Sequence, residues 1–166
     1  MHPEHLKAFD YVGLHQYFLT FCTNERHRLF VTAGAVNLVR TQIERAAHDH
    51  HVAVIAYCFM PDHLHMLVEG EAEDSDCREF ISRAKQYSGF HYKAAFGHRL
   101  WQRYGYERVL RNEESAVSVA RYILENPIRA KIADRIDDYP YSGSSRYSIE
   151  ELIEAVQMRA EWYRSA

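Results

Sequence analysis

Cysteine is scarce: the 166 residues include three, Cys22, Cys58 and Cys77. An odd number at wide spacing excludes a disulfide framework and a paired-cysteine metal site. Cys22 and Cys58 sit in apolar runs and read as small buried hydrophobes. Glycine and proline are few, 7 and 4, which excludes collagen-like and low-complexity chains. No apolar run approaches the ~18 residues of a membrane span, and the opening MHPEHLKAFD carries no signal-peptide core. A reducing cytosol, with no membrane partner, is the expected setting. There is also no excess of one charge: 20 Lys+Arg stand against 23 Asp+Glu, net −3. That excludes a polybasic, histone-like protein but leaves room for a local basic face.

Apolar residues are plentiful. At 47% hydrophobic, the chain can bury a core, and its length fits one domain spanning 1–166. Residues 15–23, HQYFLTFCT, read as a strand, and 33–50 place Val36, Leu38, Val39, Ile43 and Ala47 near helical spacing. VAVIAYC (52–58) and LHMLVE (64–69) read as a hairpin across MPDH. A helix is expected from about Asp76 to about Phe96, capped by Ser75 or Asp76, with Phe80, Ala84, Tyr87 and His91 near one stripe. A fourth strand is expected near 104–110, then a short helix over 113–125 stopped by Pro127. Residues 148–166 read as a helical extension, with Ser148 and Glu151 forming a capping box. The order β-α-β-β-α-β predicts an α+β, ferredoxin-like fold, with four antiparallel strands and two helices on one face.

Histidine and tyrosine are the abundant side chains with chemistry, at 11 and 12. In a strand, positions i and i+2 share a face, so His63 and His65 leave the sheet together while Leu64 enters the core. That suits chelation of one divalent cation; the alternative is a pair of polar residues on a solvated face. No HExxH motif and no four-ligand His/Cys cluster is present. Tyr122 and Asn126 lie four apart on the expected short helix. The amide is a reasonable ligand for Mg²⁺ or Mn²⁺ and the phenol a nucleophile; the alternative is a packed Tyr and a helix-capping Asn before Pro127. Tyr87 and Tyr92 are rival nucleophiles or core residues.

Residues 78–111 carry eight basic side chains against Glu79 and Glu107, interleaved with aromatics, a pattern that suits single-stranded nucleic acid. Lys85, Lys93, Arg99 and Arg103 are the candidate phosphate contacts, with Arg129 and Lys131 beyond the short helix. Trp101 reads as core.

Together these pieces resemble the IS200-like tyrosine transposases, and within them the REP-associated branch. AYCFMPDHLHMLVE resembles the family's His-hydrophobe-His element and RYILENPIR its tyrosine segment. LWQRYGYERVLRNE, YFLTFCTNERHRLF and DYPYSGSS resemble three further family stretches, in order, over about residues 11–147. Glu125 and Lys131 depart from the family's common pattern, Glu125 by adding a carboxylate that either tunes the proposed metal site or points away from it. The resemblance implies an enzyme that nicks and rejoins single-stranded DNA next to a hairpin, through a 5′-phosphotyrosine on Tyr122. It implies Mg²⁺ or Mn²⁺ on His63, His65 and Asn126, in a monomer or homodimer. The alternative is a non-catalytic nucleic-acid-binding module of the same fold.

Overall fold

A computed structural model describes residues 12–110 and 116–165, without the side chains of 106–109 and 158–165. Arg111, the expected helix start at 113–115 and the side chain of Arg108 therefore lie outside the described residues.

The strands are β1 (Gln16–Cys22), β2 (Val52–Met60), β3 (His63–Gly70), β4 (Tyr106–Val109) and the two-residue β5 (Ser142–Gly143). They form one sheet in the order β4-β1-β3-β2-β5, with neighbouring strands antiparallel. The first four follow the ferredoxin-like order, and β5 adds a short fifth strand beside β2. The β2–β3 hairpin is tighter than MPDH suggested, because Met60 and His63 already pair and only Pro61 and Asp62 turn.

Helices α1 (Ala33–Asp49) and α2 (Cys77–Phe96) cover one face. Their apolar stripes join Tyr17, Leu19, Phe21, Leu64, Met66 and Val68 in one core. Asp76 caps α2, its carboxylate accepting from the Glu79 N–H. The buried stripe of α2 is Phe80, Ala84, Ser88 and Tyr92, one position round from the expected one; Tyr87 and His91 are only half-buried. Trp101 is core, and its indole N–H donates to the buried Ser88 hydroxyl.

The opposite face is covered by α3 (Ala116–Leu124) and α5 (Ile149–Ser165) over Phe18, Ala56, Cys58, Met60 and Leu67. The Ser148–Glu151 capping box forms, each backbone N–H donating to the other's side chain. The short helix ends at Leu124, and a separate turn, α4 (Asn126–Arg129), begins with Pro127 in its first turn. Cys22 is half-buried rather than core, because it lies on this second face at the strand's end. Among the described residues no helix is long and apolar enough to cross a membrane.

Ile123 fastens α3 to the sheet and is fully buried. An Ile123→Ala protein is expected to lose about 2–5 kcal/mol of stability, read from urea unfolding.

Candidate active site

The site grows from the pleat of β1 and β3. Alternate residues of β1 point to opposite faces, so Phe18, Thr20 and Cys22 lie on the α3 side and pair across the strands with Leu67, His65 and His63. His63 and His65 project on that side with ring centroids 4.6 Å apart.

Each imidazole is held by a partner. His65 stacks on Phe18 at 5.3 Å between centroids, and its Nδ1 lies 2.8 Å from Thr20 Oγ1. His63 Nδ1 lies 2.7 Å from Asp62 Oδ1. With the Nδ1 protons donated to these oxygens, the Nε2 lone pairs remain for a ligand. Asn126 brings its side-chain amide within 3.5 Å of His63 Nε2, and half a turn of the amide presents Oδ1 at that place. Among the described residues no group of three or more His, Cys, Asp or Glu could hold a metal. The available donor set is therefore two imidazoles and one amide oxygen. It fits a divalent cation and carries no charge of its own.

Burial pushes the His65 pKa down from 6.5 to about 3, helped by the charges of His63, Arg129 and Arg26. The folded ring is neutral where the unfolded one titrates, so the unfolded chain takes up more protons between those values. Stability is expected to fall as pH drops through that window, by about 2 kcal/mol from this residue at about pH 5 relative to pH 7. Urea midpoints at the two pH values check this, and His65→Gln should remove that share.

Tyr122 lies beside the pair, half exposed, its ring 6.2 Å from His65 and 6.0 Å from Phe18. The Arg129 guanidinium sits 4.0 Å from the centre of the Tyr122 ring and donates to the Tyr122 carbonyl oxygen. Glu125 pairs with arginines. Its carboxylate takes Arg121 at 2.9 Å and Arg129 at 3.9 Å.

The structure thus gathers Tyr122, His63, His65, Asn126 and Arg129. Asn126 arrives by a different route from the expected one: it opens α4 and does not continue the tyrosine's helix. The rival Tyr92 is buried in the α1–α2 core, and Tyr87 lies under Arg45, 4.4 Å from the guanidinium.

The basic candidates scatter. Lys85 lies over the ring of Phe21, on the far side of the sheet, and Lys93 is exposed near the end of α2. Arg99 folds back onto the Trp101 carbonyl. Arg103 lies against its neighbour Tyr104. Lys131, with φ +59°, follows α4. Sequence reasoning missed Thr20, Phe18 and Arg26 at this site. Each is brought in by strand register or loop geometry and carries no local motif.

Comparison with known proteins bears on the family and the fold. A protein of Haemophilus influenzae named as a REP-associated tyrosine transposase is 23% identical over 151 residues, covering 78% of this chain and 80% of its own. The solved structure of a REP-associated tyrosine transposase bound to a REP hairpin superposes with a TM-score of 0.68 at 21% identity, over 84% of this chain and 81% of that one. A Deinococcus radiodurans protein described as a transposase superposes with a TM-score of 0.51 at 23% identity, over 78% and 99%. The family described as "Transposase IS200 like" matches residues 11–126, a span that includes His63, His65, Tyr122 and Asn126. The chain belongs to the IS200-like transposase family.

Proposed function

We propose that the protein cleaves and rejoins single-stranded DNA through a covalent bond between Tyr122 and a 5′-phosphate, next to a hairpin of the kind named for its structural relative. The observation that carries this reading is one exposed phenol beside two imidazoles whose outer nitrogens are already tied to oxygen. Bound at His63, His65 and the Asn126 amide, Mg²⁺ or Mn²⁺ would draw negative charge from the scissile phosphate.

The chain's own residues do the rest. The Tyr122 oxygen forms a bond to phosphorus as the bond from phosphorus to the 3′-oxygen breaks. The phenol proton leaves to solvent, and the 3′-oxygen is released as a hydroxyl. Attack by that or another 3′-hydroxyl reverses the exchange and frees the tyrosine, so no nucleotide cofactor is consumed. Arg129 holds the phenol ring by its face and keeps a positive charge where the phosphate must arrive. Lys131 follows on the same segment. Lys85, Lys93, Arg99 and Arg103, reached round the sheet, serve DNA away from the scissile bond.

The test is incubation with single-stranded DNA from the flanks of its own gene, with Mn²⁺ and with a chelator, followed by a denaturing gel. A metal-dependent covalent band is expected. Binding without any such band would favour a non-catalytic module.

A further inference from the structure

Asp62 faces two ways. Its Oδ1 is 2.7 Å from His63 Nδ1, while Oδ2 takes the Arg26 Nε–H at 3.0 Å and Nη2 at 2.9 Å. Both guanidinium nitrogens converge on one oxygen and leave the other to the imidazole. Around this contact the backbone is stitched down: the Asp62 carbonyl accepts the N–H of Thr23 at 3.0 Å, and the Thr23 hydroxyl lies between the His27 carbonyl at 2.7 Å and that of Asp62 at 3.0 Å.

Arg26 is reached by an unusual path. Glu25 and Arg26, neither of them glycine, are successive left-handed residues with φ +54° and +58°. L side chains rarely adopt that conformation, and it persists only where surroundings enforce it. Here it returns the guanidinium onto Asp62, with Nη1 3.5 Å from Cys22 Sγ, the residue paired with His63 across the sheet. Burial disfavours the Asp62 charge, but hydrogen bonds from His63 and Arg26 outweigh it and hold the carboxyl below its usual pKa.

We infer that Arg26 is a positioning residue for the cation site: it fixes the Asp62 carboxylate, which fixes the tautomer and ring angle of His63. This rests on the metal reading of the histidine pair given above. Ligating imidazoles depend on the group that takes their other N–H, and loss of that group typically costs tenfold or more in metal affinity. A carboxylate free to rotate would give His63 no fixed partner; one tied to a guanidinium does.

The variant Arg26→Gly separates this role from a merely structural one, because glycine accepts φ +58° without strain. A merely structural role predicts a change in melting temperature at most, with Mn²⁺ affinity unchanged. Positioning predicts an affinity, by isothermal titration, lower by about tenfold. Arg26→Lys, which lacks the fork, should recover only part. Adding Arg26→Gly to Asp62→Asn should cost nothing further, since both act on one ring.

Long-range ¹H–¹⁵N spectra of the metal-free protein read the relay directly. His63 should be a single Nδ1-protonated tautomer in the wild type and a mixture in Arg26→Gly. Wild-type affinity in Arg26→Gly, an unchanged tautomer, or an additive loss in the double variant would each overturn the proposal. A wild-type protein that binds no Mn²⁺ overturns the metal reading instead, and the tautomer then decides the relay alone.

Discussion

A Tyr122→Phe protein is expected to bind single-stranded DNA as the wild type does and to form no covalent adduct, the yield falling by at least about a thousandfold. The change removes one oxygen and little else. The ring keeps its neighbours Phe18 and His65 and the guanidinium above it. Because the side chain is half exposed, loss of the hydroxyl leaves no buried group unpaired, and folding should be nearly unchanged. The other tyrosines considered as nucleophiles lie on the far side of the sheet. An adduct that persists in Tyr122→Phe therefore sinks the assignment, and binding lost together with the adduct would place the phenol in recognition instead.

The second large effect belongs to the histidines. His63→Ala is expected to weaken Mn²⁺ binding by more than about a hundredfold and to abolish strand cleavage, with little cost to folding. His65→Ala should lose the same chemistry at a further cost of about 2–4 kcal/mol in stability, because its buried ring stacks on Phe18 and its removal leaves a cavity. Titration with Mn²⁺ and urea unfolding on the two variants separate these contributions. Cleavage that survives His63→Ala, or that ignores a chelator, would show the pair to be unused in the reaction.

Much of this site was legible because its parts obey short-range rules. The i, i+2 spacing of His63 and His65 places both on one sheet face whatever surrounds them. Their partners obey no such rule. Thr20 lies 45 positions before His65 and meets it only through the β1–β3 register. Arg26 reaches Asp62 across 36 positions, through a backbone conformation that its residue type does not announce.

The spacing of Tyr122 and Asn126 suggested one continuous helix face. The chain instead restarts at Asn126, where Pro127 favours a new first turn, and the amide still reaches His63. The contiguous basic window is spread out by the fold. Charge along a sequence does not say which side of a sheet it ends on, and α2 carries Lys85 and Lys93 away from the tyrosine. Glu125, whose direction the sequence left open, pairs with Arg121 and Arg129.

The two-residue turn between β2 and β3 limits how this protein can change its length. One residue inserted ahead of His63 that shifted β3 by a single step would exchange its faces. Both imidazoles would then enter the apolar layer beneath α1 and α2, while Leu64 and Met66 turned toward the tyrosine. Such an insertion destroys chemistry and packing in the same stroke, so no folded but inactive intermediate lies along that route. Insertions in this hairpin should be tolerated only in pairs, or not at all.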